Sequence, residues 1–183
     1  HLNSAPFSVS PVQAGLNHVV DWANVWQLNL APKKCCVLYI GRNNPNIPIY
    51  IDGHELGSNT SVRDLGVIMQ HNLKFSKHCS KISAPSLSRA KTIFKCFRSN
   101  KPDLLTTVYK TYVRSLVENV TFVWSPFDAK DKQQLERVQK FFTRQVYKRC
   151  CLPMKSHKDR LSELKLESLE FRRQINDLVM AYN

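Results

Sequence analysis

Glycine is scarce, with five in 183 residues. Neither a Gly-x-Gly-x-x-Gly run nor a Walker sequence occurs, so no glycine-rich loop is present whose N–H groups would cradle phosphates. Long apolar runs are missing too. None approaches the roughly 20 residues that cross a bilayer, and we expect no membrane partner. Nothing near the N-terminus joins a basic stretch to an apolar stretch and a cleavage site. His1 stands first in place of Met, so a processed chain, a fragment or an incomplete sequence is expected.

Cysteine is present without the spacing that gives it a framework. Cys35-Cys36, Cys79, Cys96 and Cys150-Cys151 make two adjacent pairs and two singletons, unlike a disulfide scaffold. A reducing, intracellular setting, nucleus or cytoplasm, is therefore expected, and not secretion. Zinc sites place two ligands close together, twice. His71, His78, Cys79 and Cys96 do not, so no metal is assigned. Cys150-Cys151 with His157 lacks a third group to orient a base. No small-molecule substrate is indicated.

Acid is in shortest supply. There are 14 Asp and Glu against 27 Lys and Arg, a formal net charge of +13. A chain this basic points to a polyanionic partner, and nucleic acid is the commonest. Its hydrophobic fraction of 43% is that of a globular protein. The length suits one domain or two small ones.

Hydrophobic spacing divides the chain near Gln70. Before it, Pro11 to Val25 reads as a helix, with Val12, Leu16, Val19, Val20 and Ala23 at helical intervals. Cys35 to Gly41 reads as a buried strand, Gly41 to Asn46 as a turn, and Pro48 to Gly53 as a second strand entering a tight turn. Ser61 to Met69 reads as a third strand, with Gly66 inside it marking a bulge or a close approach. After Gln70 the period becomes helical. One helix is expected from Ser76 to Arg98, kinked or split at Pro85. A second starts near Pro102 and carries Leu104, Leu105, Val108, Tyr109, Tyr112, Val113 and Leu116. A third opens at Asp128 and buries Leu135, Val138, Phe142 and Val146, followed by a loop through Pro153. The last spans Leu169 to Tyr182, with Phe171, Ile175, Leu178, Val179 and Tyr182 on one side. The fold class is α+β: short antiparallel strands with one helix over 1–70, then an all-helical bundle over 71–183.

The charge has a place. Between Lys74 and Arg114 Asp103 is the only acid. At about 100° per residue, Lys74, Lys77, Lys81, Lys91, Lys95 and Arg98 fall in one sector opposite the apolar face. Such a stripe can track a phosphate backbone without reading sequence. The plainer alternative is a solvated face, but the Glu residues that usually balance one are missing. The third helix is also basic, with Lys130, Lys132, Arg137, Lys140, Arg144, Lys148 and Arg149. It carries Asp131 and Glu136 as well, which weakens its signal.

Several strings then resemble non-LTR (LINE-type, jockey-like) retrotransposon reverse transcriptases. Trp22-Ala23-Asn24-Val25-Trp26-Gln27-Leu28 and Lys34-Cys35-Cys36-Val37-Leu38-Tyr39-Ile40-Gly41 are similar to the segment after the family's catalytic Asp pair. Ser61-Val62-Arg63-Asp64-Leu65-Gly66-Val67 and Leu73-Lys74-Phe75-Ser76-Lys77-His78 look like the next block. Val108 to Arg114, Trp124-Ser125-Pro126 and Leu135 to Gln139 are similar to the thumb, and Leu166 to Arg173 to the block that closes it. The strings keep the family's order along nearly the whole chain.

The resemblance implies the end of a palm over 1–70 and a helical thumb over 71–183. It implies that Lys34 sits beside the nucleotide's phosphates as an assistant to catalysis. It implies that Asp64, Leu65 and Gly66 form the primer grip, and that Lys74, Lys77, Lys81, Lys91, Lys95 and Arg98 touch nucleic acid. The partner would be an RNA–DNA or RNA primer–template duplex, together with an upstream fingers and palm segment. Mg2+ would serve the complete polymerase, because two-metal phosphoryl transfer needs paired carboxylates. The sequence has no Tyr/Phe-Ala-Asp-Asp run, and it departs from the family at Ala31, Pro85, Ser115 and Asn119. By itself the chain is expected to be inactive. Two alternatives stand beside this: a stand-alone basic helical adaptor that binds nucleic acid or protein, and an enzyme whose catalytic half lies on a separate or longer chain.

Overall fold

A computed structural model describes residues 11–41 and 44–182. The fold is α+β. Helix α1 spans Pro11–Val25, with Pro11 in the first turn, where its missing N–H costs nothing. A 3₁₀ turn follows at Pro32–Lys34. Strand β1 (Tyr50–Ile51) pairs antiparallel with β2 (His54–Glu55). Strands β3 (Ser61–Asp64) and β4 (Val67–Gln70) form a second pair.

Three strand expectations need correction. Cys35 to Gly41 forms no strand. The Cys35 N–H closes the 3₁₀ turn onto Pro32 O at 3.0 Å, and only Val37 makes an isolated parallel bridge, to Ser58. A short apolar run becomes a strand only where a partner offers a ladder. Pro48 to Gly53 shrinks to Tyr50–Ile51, which turns at Asp52-Gly53 (φ 48° and 72°). An Asp-Gly pair is a favoured two-residue hairpin turn. Ser61 to Met69 folds back on itself. Leu65 and Gly66, with φ of 44° and 93°, make the turn, so Gly66 marks a reversal and not a bulge. The turn expected from Gly41 to Asn46 includes residues 42 and 43, which lie outside the described residues.

The chain separates into two compact units, and the division passes through the β3–β4 hairpin. The first holds the described residues up to Asp64 and Met69–Leu73. The second holds Leu65–Ile68 and the residues from Lys74 onward.

Little is buried in the first unit: Ala23 and Ile51. Of α1's expected face Ala23 is buried and Leu16 and Val20 are half-buried, while Val12 and Val19 are exposed. The second unit is built on helices α2 (Ser76–Cys96), α3 (Pro102–Tyr109), α4 (Ser115–Val117), α5 (Ala129–Arg149), α6 (His157–Glu163) and α7 (Leu169–Tyr182). Helix α2 continues through Pro85, against the expected break. The N–H that proline lacks would have served the carbonyl of Lys81, on an exposed face where water can replace it.

Helices α2 and α5 lie side by side in the same direction. Ser76 donates to Asp131 near their starts, and Arg149 donates to the carbonyls of Phe94 (2.7 Å) and Phe97 (2.8 Å) near their ends. The core includes Ile93, Leu105, Tyr109, Val113, Val138, Phe142 and Val146. The Tyr109 ring stacks on Phe142 with centroids 4.2 Å apart. Its hydroxyl donates to Gln139 Oε1 at 3.0 Å, and Gln139 Nε2 donates to Glu167 O at 2.7 Å, so these buried polar groups are satisfied.

Between α3 and α4 the helix widens into a π turn at Lys110–Arg114. Leu105, Tyr109, Val113 and Val117 are all buried. Residues four apart drift around an α-helix of 3.6 residues per turn, and the wider turn takes up that drift. Leu104 and Tyr112, expected inside, are exposed. Helix α6 lies where the sequence reading places no helix. Ser156 caps it by accepting the Asp159 N–H at 3.2 Å, and Ser156-x-x-Asp159 is the sequence signal that could have found it. Helix α7 has the expected span, yet Phe171, Ile175, Leu178, Val179 and Tyr182 are exposed, while Leu169 and Arg173 are buried. Periodicity reports an apolar face, not a partner that covers it.

Candidate nucleic-acid interface

Helix α2 has two distinct sides. His78, Cys79, Ile82, Ser83, Ser86, Ala90 and Ile93 are buried. At 100° per residue the opposite side carries Lys77, Lys81, Lys91 and Lys95, with Ala84 and Ser88 between them, all exposed. The two lysine pairs, each spaced four residues apart, flank a stretch of small side chains. From Lys77 to Lys95 the stripe extends about 27 Å at 1.5 Å per residue.

Two expected members of the stripe stand elsewhere. Lys74 precedes the helix and pairs with Asp128 at 3.0 Å, a contact between the starts of α2 and α5. Arg98 lies past the extended C-cap residue Phe97 and leaves the helix surface, though it stays exposed.

The acids of this unit are largely turned to its own use. Glu118 takes Arg172 in a two-pronged contact (2.5 and 3.1 Å) and also faces Arg114. The Glu118 carboxylate holds the Arg172 guanidinium above its usual range. Glu136 meets His157 at 2.9 Å and accepts the Leu169 N–H at 3.1 Å. Glu170 pairs with Lys132, and Glu167 with Arg172. Glu163 takes Lys155 and the Tyr147 hydroxyl, which hold its carboxyl below the usual range. Asp131 is buried under Ser76. Among the described residues no ion pair engages Lys81, Lys91, Lys95 or Arg98.

The same arithmetic strengthens α5. Lys130, Arg137, Lys140, Arg144 and Lys148 are exposed, on the side opposite Leu135, Val138, Phe142 and Val146. Asp131 and Glu136, which weakened this helix in the sequence, point away from that side. Helical phase, applied to the acids as well as the bases, would have shown it.

Lys34 ends the 3₁₀ turn and is exposed. Asp64, Leu65 and Gly66 form the tip of the β3–β4 hairpin. Leu65 is 95% exposed there and holds a left-handed backbone, a conformation that disfavours a branched side chain.

The residues set aside from chemistry sit in the fold itself. His78 is buried, accepts the Ile68 N–H on Nδ1 at 3.3 Å and meets the Trp124 ring edge-on at 4.5 Å. Burial first, and then Lys81, push its pKa down. Burial, then Asp131, push the Cys79 thiol up to about 12, far from a thiolate's range. Burial raises Cys150 as well. Trp124 is buried and donates to Asn119 O at 2.9 Å. Among the described residues no three His, Cys, Asp or Glu side chains gather where an ion could be held. The residues present thus do not fit a two-metal centre, and no step is assigned to Mg2+.

The fold and site define an α+β protein with a helical unit whose outward faces are cationic. No described helix is long and apolar enough to cross a membrane. No family model matches the sequence, and no solved structure does. An uncharacterized Caenorhabditis elegans protein, B0403.1, is 29% identical over 122 residues, which is 67% of this chain and 62% of that protein. The chain therefore spans less than two thirds of that relative's length.

Proposed function

We propose that this chain is the duplex-gripping part of a LINE-type reverse transcriptase, with Lys77, Lys81, Lys91, Lys95 and Arg98 against the phosphates of an RNA–DNA hybrid. One observation carries this. Most acids of the helical unit are engaged within the fold, and among the described residues no ion pair engages Lys81, Lys91, Lys95 or Arg98. Exposed cations on and just beyond one face of a helix release counterions when they meet a phosphate backbone, and affinity then falls with salt. The order of the family-like strings and the exposed tip at Leu65-Gly66 support the assignment to a reverse transcriptase. In it the hairpin tip meets the primer end, and a chain upstream supplies the catalytic carboxylates.

The test is binding of the purified, folded chain to a labelled RNA–DNA hybrid across a salt series. Micromolar or tighter affinity with a steep logarithmic salt dependence is the expected result. A folded chain that fails to bind at low salt overturns it. The exposed apolar faces of α1 and α7 would then favour the second reading, a basic adaptor that binds proteins.

A further inference from the structure

Where α2 ends and α3 passes it, the helical unit opens an apolar groove of about 450 Å³. Phe97 and Tyr112 line it, 40% and 46% exposed, over Ile93 and Val108. Its size lies within the range of small-ligand sites, and the duplex-facing stripe of α2 does not use these residues.

We propose that this groove is a stacking pocket for an unpaired nucleobase in a single-stranded extension of the bound hybrid. The inference rests on the nucleic-acid reading above and adds a second, non-electrostatic contact to it.

Three observations support it. The first is the π turn. Tyr112 belongs to Lys110–Arg114, and such turns recur at functional sites because they re-aim side chains. Here the widened turn keeps Tyr109 and Val113 in the core and leaves Tyr112 facing out.

The second is that Tyr112 is held in place. The Arg89 guanidinium lies 5.0 Å from its ring centroid and donates to Tyr112 O at 3.3 Å. A ring fixed in advance loses little entropy when a base stacks on it, and guanidinium planes extend such stacks.

The third is charge. Lys95 and Arg98 flank Cys96 and Phe97 in sequence, and Lys101 follows within the same connection. All three are exposed and take part in no ion pair among the described residues. Aromatic side chains beside cations are how proteins hold single strands without reading sequence. An apolar groove bordered by lysine and arginine complements a base on its phosphodiester chain.

The experiment compares two RNA–DNA hybrids of equal duplex length, one blunt and one with a four-nucleotide single-stranded extension. The full chain should bind the extended hybrid about tenfold more tightly, the scale of one stacked base. Phe97→Leu and Tyr112→Leu keep apolar volume and remove the π face. Each should abolish most of that preference while thermal unfolding and blunt-hybrid affinity stay as in the wild type. Equal binding of the two hybrids by the wild type overturns the pocket and leaves the duplex grip standing. A preference that survives both substitutions also overturns it. Failure to bind either hybrid removes the duplex grip and the pocket together.

Discussion

The two units of this protein spend their apolar residues differently. In the helical unit they meet: Tyr109, Phe142, Val113 and Val146 are fully buried. In the first unit Val12, Val19, Trp22, Val25, Trp26 and Leu28 are more than half exposed. Both units show helical or alternating hydrophobic patterns. Stability comes from packing those faces together, so the helical unit holds the core and the first unit contributes little to it. Charge follows the same contrast. The helical unit engages most of its carboxylates in caps and ion pairs and presents many of its cations outward.

Five substitutions test the contrast. The largest effect belongs to Phe142→Ala, which empties the stack between Phe94 and Tyr109 and should cost about 3–5 kcal/mol. Trp22→Ala, at a residue 56% exposed, should stay within about 0.5 kcal/mol. Denaturant melts of both variants check the pair, and similar losses would show that the units share one core. Next comes Gln139→Leu. It strips partners from the Tyr109 hydroxyl and the Glu167 carbonyl and should cost about 2 kcal/mol; a neutral change would mean that water already serves both groups.

Smaller and opposite in sign is Leu65→Gly. The left-handed backbone at the hairpin tip suits glycine, so the change should stabilise the protein by about 1 kcal/mol. If the tip meets a primer end, the same change weakens binding of hybrids with a recessed primer. The last effect is that of pH. The His78 pKa is depressed by burial. An unfolded His78 takes up a proton near its ordinary pKa of about 6.5 before the folded one does. Its contribution to stability is present above that value and is lost as pH falls through the lower, folded pKa. His78→Asn, which keeps an acceptor for the Ile68 N–H, should flatten this acid limb in thermal melts.

Much of the helical unit was legible in sequence. The 3.6-residue period placed α2, α5 and α7 within a few residues, and Leu135, Val138, Phe142 and Val146 are buried as expected, with Asp131, Gln139, Thr143 and Tyr147 beside them. Lys77, Lys81, Lys91 and Lys95 of the α2 stripe are legible because they recur on one side with no acids among them, whereas Lys74 and Arg98 fall beyond the helix ends, which periodicity does not fix. The α5 stripe is harder to read, because Asp131 and Glu136 interrupt its bases in sequence and only helical phase sets them on another side. Cys35 to Gly41 misled because strand formation depends on a distant partner, which local composition does not encode. The faces of α1 and α7 misled for the same reason. The groove beside Tyr112 could not be read at all, since it depends on a π turn and on two helices that meet only in the fold.

The most direct test of the central claim replaces Lys77, Lys81, Lys91, Lys95 and Arg98 together with Gln and measures the salt dependence of RNA–DNA hybrid binding. Each phosphate contact contributes about 0.7–0.9 to the logarithmic slope. The account predicts weaker binding and a slope shallower by about 4, with thermal stability unchanged because these side chains are exposed. An affinity and slope equal to those of the wild type would contradict it.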